Sequence, residues 1–83
     1  MSKTKEKQPI PKWFNGEIYD KGAVVTNPYS GDEYELNNIE LSMYDFVMGA
    51  SIVSEFGGTV EDLRKGLDWF RQYNPEAYMV LLD

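Results

Sequence analysis

Short runs of strand-favouring residues separated by turn residues mark positions 13–36, whereas from residue 39 onward apolar residues recur at helical spacing. Residues 23–26 form a short β-branched run, and residues 33–36 alternate between charged and apolar side chains, as in a half-buried strand. The segment NPYSG at 27–31 has the residue types of a turn. Residues 13–19 also favour a strand through their aromatic and β-branched side chains. The pattern therefore predicts a β-hairpin or a three-stranded meander over about residues 13–36.

A long helix is predicted next, over about residues 38–55. Asn37 can cap its first turn, with Glu40 three residues later as the capping-box partner, and the Phe-Gly-Gly sequence at 56–58 is a stop signal. The apolar residues of this helix form two stripes: Leu41, Tyr44, Met48 and Ile52 in one, and Ile39, Met43, Phe46, Val47, Ala50 and Val53 in the other. A helix that is apolar on two faces normally lies between two layers. We therefore expect the chain itself to cover both stripes, or one of them to face another subunit.

Two shorter helices complete the predicted fold. Thr59 and Asp62 repeat the cap pattern ahead of a helix over about residues 60–73. Its apolar face contains Val60, Leu63, Leu67 and Phe70. An Asn-Pro pair at 74–75 supplies a cap and a first helical residue, and so restarts the chain as a short helix over about residues 75–82. The predicted class is α+β, with the strands followed by a helical hairpin and a terminal helix.

Charge divides the chain into two parts. Residues 1–12 contain four lysines and one glutamate, a net charge of +3, whereas residues 13–83 contain four basic and thirteen acidic residues, a net charge of −9. All twelve aromatic residues also follow residue 12. We therefore predict a flexible basic tail at 1–12 and a single small domain at 13–83.

The composition argues against an enzyme. The chain has no cysteine and no histidine, so thiolate zinc sites, cysteine nucleophiles and Ser-His dyads are excluded. The acidic stretch 32–40 lacks the ligand spacing of a calcium loop, and its carboxylates are expected to be solvated. Gly57 and Gly58 precede a helix without the Lys-Ser/Thr of a phosphate-binding loop. We predict no catalytic, cofactor-binding or metal-binding residues and no small-molecule substrate.

The remaining functions are those of a binding protein. No apolar run is long enough to span a membrane, and the N-terminus lacks the apolar core of a signal peptide, so we expect a cytoplasmic protein. Direct binding of nucleic acid is not expected, because a body with a net charge of −9 repels phosphates. The alternative hypothesis is a nucleic-acid-related regulator of a host protein. It would be either a DNA mimic whose acidic surface occupies the basic groove of that protein, or a weak nucleic-acid binder that uses the Lys-rich tail.

Six residues are the candidates for a protein-contact surface: Trp13, Phe14, Tyr44, Met48, Trp69 and Tyr73. Tyr44 and Met48 lie in one stripe of the long helix, and Trp69 projects away from Val60 on its own helix. Tryptophan and tyrosine are frequent interface anchors. The alternative is that the tryptophans pack beneath a loop or beneath the chain's own N-terminal strand.

The segments GAVVTNPYSGDEYELNNIELSMYDFVMGA and RKGLDWFRQYNPEAYMVLLD resemble a group of small uncharacterised proteins of tailed phages, notably those of marine and cyanobacterial hosts. In that group a TNP-[FY]-SG turn and a C-terminal DWFR…NPEAYM-LLD segment recur. The resemblance covers most of residues 22–83 and implies a phage protein that acts inside an infected bacterial cell. It implies no activity and no site residues. We predict a non-enzymatic accessory protein that contacts other proteins, as a homo-oligomer or on a host protein.

Overall fold

The computed structural model describes residues 8–83. Its elements follow in the order β1 (Ala23–Thr26), β2 (Glu33–Leu36), α1 (Asn38–Glu55), α2 (Glu61–Tyr73) and α3 (Pro75–Ala77), which continues as a π-helical turn over Tyr78–Leu82. The predicted α+β class and the order of its elements are confirmed.

The strands form one antiparallel hairpin, in which Ala23 pairs with Leu36 and Thr26 with Glu33. The three-stranded alternative is wrong, because residues 13–19 form no strand. The backbone N–H of Tyr19 instead donates to the side-chain Oγ of Ser42, at 2.9 Å. The aromatic residues of this segment therefore serve packing rather than strand pairing: the rings of Trp13 and Phe14 lie 5.5 and 5.4 Å from that of Phe46.

Local sequence signals fix both ends of α1. The side chain of Asn37 accepts from the backbone N–H of Glu40, and the Glu40 carboxylate accepts from the backbone N–H of Asn37, so the predicted capping box is present. At the other end Gly57 has a φ of 95°, and the N–H of Gly58 donates to the carbonyl of Val53 at 2.9 Å. These are the features of a Schellman cap, in which glycine adopts the left-handed conformation without steric cost.

The first turn of α2 differs from the prediction. Val60, not Thr59, is the N-cap residue, and it makes no side-chain capping bond. The Thr59 hydroxyl accepts from the backbone N–H of Glu61, at 3.1 Å, so it bonds one residue earlier than the predicted pairing with Asp62. Val60 is exposed, and the buried face of α2 starts later.

The broader apolar stripe of α1 packs on α2. Met43, Val47 and Ala50 are buried. Gly66 permits the close approach of the two helices, because a Cβ atom there would lie 2.5 Å from Cγ2 of Val47. The main core cluster joins residues from every helix and from β2: Leu36, Met43, Val47, Trp69, Phe70, Ala77 and Leu81.

Residues 8–12, part of the predicted tail, contact the body. The Gln8 side chain donates to Oε2 of Glu40 at 2.7 Å, and the carbonyl of Pro9 accepts from the indole N–H of Trp69 at 3.0 Å. Glu40 itself is fully buried, so the expectation of a solvated carboxylate is wrong at this position. Residues 1–7 of the predicted tail lie outside the described residues.

Candidate interaction surface

The turn between the strands is organised by a single side chain. Asn27 Oδ1 accepts from the backbone N–H of Tyr29 at 2.8 Å and from that of Ser30 at 3.3 Å. Its carbonyl accepts from the N–H of Gly31 at 2.8 Å, and its Nδ2 donates to the carbonyl of Val80 at 2.9 Å. Asparagine is suited to this role because its amide mimics the backbone of a turn. One residue thus orders the turn and ties it to the C-terminal segment.

This ordered turn presents Tyr29 to solvent. The side chain is 97% exposed, although it is among the largest apolar groups of the chain. Tyrosine contributes a large contact area at a low cost in conformational entropy, and it is enriched among the residues that dominate binding energy. A tyrosine held out from a hydrogen-bonded turn is therefore suited to anchor a partner.

A groove of about 230 Å³ lies beside the turn and contains two of the predicted contact residues, Tyr44 and Met48. We use the name turn surface for Pro28, Tyr29, Tyr44, Met48 and Leu82, which line this groove. Asp83 is the one charged residue among the groove's lining residues. Burial, and next the charge of Asp45, raises the pKa of Tyr44.

The other four predicted residues lie elsewhere. Trp13 and Phe14 cover Phe46, as described above, and are partly buried. Trp69 is 4% exposed and belongs to the core, beneath the N-terminal segment that accepts its indole hydrogen bond. Tyr73 is half-buried, with its ring 5.3 Å from that of Trp69. For Trp69 the structure thus agrees with the alternative interpretation, packing beneath the chain's own N-terminal residues.

Trp13, Trp69 and Tyr73 do meet around a second groove, of about 330 Å³. Pro9 and Pro11 of the same chain form part of its lining, together with Lys65, Asp68 and Gln72. Because the chain's own prolines line this groove, it offers less uncovered aromatic surface than the turn does.

Tyr29 is not among the six contact residues predicted from the sequence. The apolar pattern assigns residues 27–31 to a turn and therefore gives the side chains there no role. The available signal was the residue type: a large aromatic side chain two residues after an asparagine that can fix a turn.

Among residues 8–83, no group of three or more carboxylates is arranged to hold a metal ion. Within the same residues, no helix combines the length and the apolar character needed to cross a membrane.

Comparison of the chain with protein-family models, with curated proteins and with solved structures finds no match. The case for function therefore depends on the surface of the molecule itself.

Proposed function

We propose that the protein is a non-enzymatic accessory protein of a tailed phage. It acts through protein–protein contacts in the cytoplasm of the infected bacterial cell, and it self-associates through the turn surface. The phage origin is supported by the resemblance over residues 22–83. The contact function is supported above all by one observation, the 97% exposure of Tyr29 on a turn that five hydrogen bonds of Asn27 hold in place.

The surroundings of Tyr29 suit a contact between two copies. Tyr44 and Met48 belong to the narrower apolar stripe of α1, and both remain half-buried. Two copies related by a two-fold axis would each insert Tyr29 against the Tyr44–Met48 groove of the other, which covers these two residues of the stripe. The groove has few charges, so the negative net charge of each copy is not concentrated at this contact.

Size-exclusion chromatography with light scattering at micromolar concentrations tests this proposal. We expect a mass above that of the 9.6 kDa chain for the wild type and a monomer for Tyr29→Ser. Val24→Thr is the matched control, because Val24 is an exposed apolar residue of the same hairpin and lies outside the groove. The melting temperature of the diluted monomer should be the same for both variants. A wild type that stays monomeric, or a Tyr29→Ser variant that associates as strongly, would refute self-association through this surface.

The DNA-mimic hypothesis makes a different prediction for proteins captured from a bacterial lysate. A mimic would retain nucleic-acid-binding proteins that elute at moderate salt, since exposed ion pairs are screened. Capture through the turn surface would survive high salt and would be lost in Tyr29→Ser. Retention of nucleic-acid-binding proteins by the wild type and by Tyr29→Ser alike would favour the mimic.

A further inference from the structure

A second uncovered surface lies on α1, away from the turn. Gly49, Ile52 and Val53 of α1 and its C-cap residue Phe56 have the i, i+3, i+4, i+7 spacing of one helical face, and all four are exposed. Phe56 is 86% exposed. The spacing is that of a helix that lays an apolar face against another helix. Part of this face opens into a groove of about 310 Å³ between α1 and the start of α2.

No contact within residues 8–83 accounts for Gly49. A Cβ atom at this position would meet no heavy atom of these residues within 4 Å, apart from the backbone of its own helix. Gly66 differs, because a Cβ atom there would collide with Val47. Glycine destabilises the interior of a helix relative to alanine, so an exposed glycine that the fold does not need points to a close approach from outside.

The lining of this groove combines apolar residues with two acidic ones. Phe46, Ala50 and Val53 provide the apolar lining beside Gly49, and Asp45 and Asp62 provide the two charges. The Tyr19 hydroxyl donates to the Asp45 carboxylate, and neither Asp45 nor Asp62 forms an ion pair within residues 8–83. These carboxylates are placed to receive cationic groups that the described part of the chain does not supply.

The charge also decides against a second copy at this groove. A contact of the groove with itself would bring the same two carboxylates of both copies together. Like charges placed opposite each other at an interface disfavour the complex, whereas complementary charges speed association and fix the register.

We propose that this groove binds an amphipathic helix of another protein that carries lysine or arginine beside its apolar face. The apolar face lies along Gly49, Val53 and Phe56, with the two backbones closest at Gly49, and the cationic side chains reach Asp45 and Asp62. The inference shares with the proposed function the premise of protein contact, but it uses a different surface and a different occupant.

A synthetic helix tests the inference with the full-length protein. The probe is a Leu-, Ala- and Lys-containing amphipathic peptide of about the 18-residue length of α1, and its counterpart has every lysine replaced by glutamate. Titration calorimetry should detect binding of the lysine peptide and none of the glutamate peptide. Gly49→Leu should weaken binding by about tenfold or more, since it fills the position of closest approach. Asp62→Asn should weaken it by about two- to fivefold.

Matched controls separate the groove from general attraction between opposite charges. Glu33→Gln removes the same charge as Asp62→Asn but from β2, outside the groove, and should leave the affinity unchanged. Circular dichroism should show that Gly49→Leu melts no lower than the wild type. The inference is overturned if the lysine peptide does not bind, if Gly49→Leu binds it equally well, or if Glu33→Gln weakens binding as much as Asp62→Asn. Tyr29→Ser should bind the peptide normally. A protein that does not bind the peptide can therefore still self-associate through the turn surface, and a monomeric protein can still bind the peptide.

Discussion

Glu40 shows how a single side chain can join distant parts of the chain. It is fully buried, and its carboxylate accepts from the Asn37 backbone at 2.9 Å, from Gln8 at 2.7 Å and from Asn74 at 2.6 Å. Asn74 in turn accepts from the backbone N–H of Ala77, at 3.2 Å. The start of α1, the N-terminal segment and the junction between α2 and α3 therefore meet at one buried carboxylate, which three donors satisfy in place of water.

We predict that Glu40→Gln destabilises the protein by about 1–3 kcal/mol, because the amide replaces one acceptor oxygen with an NH2 donor that faces other donors and leaves a buried polar atom without a partner. Urea unfolding followed by circular dichroism measures the change. Glu33→Gln serves again as the control, because that carboxylate is exposed in β2 and its loss should change the free energy of unfolding by less than about 0.5 kcal/mol. Equal unfolding midpoints for the two variants would contradict the assigned role of Glu40.

Replacement by alanine of the glycines in α1 and α2 should change the free energy of unfolding in opposite directions. Gly49→Ala should raise the free energy of unfolding by up to about 1 kcal/mol, because the position is open and alanine favours the helix. Gly66→Ala should lower it by about 1–3 kcal/mol, because the new methyl group overlaps Val47 in a packed interface. Thermal melts of both variants measure the difference, and a lower melting temperature for Gly49→Ala would show that the chain itself needs this glycine.

At the scale of elements, the sequence correctly predicted the features of α1 that depend on residues close together in the chain. The bounds of α1 follow from a capping box and a glycine stop, each contained within a few residues, and both were predicted correctly. The fate of residues 13–19 depends on Ser42 and Phe46, more than twenty residues away, so strand propensity alone gave the wrong answer. The buried role of Glu40 was missed for the same reason, since Gln8 and Asn74 are 32 and 34 residues distant.

The C-terminal element should be essential to the fold. Ala77 and Leu81 are buried in the core, and Asn27 bonds to the carbonyl of Val80. A segment of this length cannot form a stable helix alone, so its conformation depends on packing against the body. We predict that deletion of residues 76–83 unfolds or aggregates the protein, as measured by circular dichroism and light scattering. Removal of Asp83 alone, which is exposed, is the control, and a truncated form with an unchanged melting temperature would refute the prediction.

At the scale of the whole molecule, the two proposed contacts differ in their electrostatics. Self-association brings together two chains of formal net charge −6 through a mostly apolar surface, whereas the α1 groove attracts a cationic helix. Salt screens both the repulsion between copies and the attraction to the cationic helix, and the screening length falls from about 10 Å at 0.1 M to about 3 Å at 1 M. The same change of buffer should therefore act on the two contacts in opposite directions.

We predict that raising the salt concentration from about 0.1 to 1 M strengthens self-association and weakens binding of the lysine peptide. Sedimentation equilibrium measures the first and titration calorimetry the second, on the same preparation. In Tyr29→Ser the effect of salt on self-association should vanish, and its effect on binding of the lysine peptide should remain. In Gly49→Leu the effect on self-association should remain, and the effect on peptide binding should vanish. Self-association that weakens with salt would mean that ion pairs hold the copies together, which is incompatible with a contact centred on Tyr29, Tyr44 and Met48.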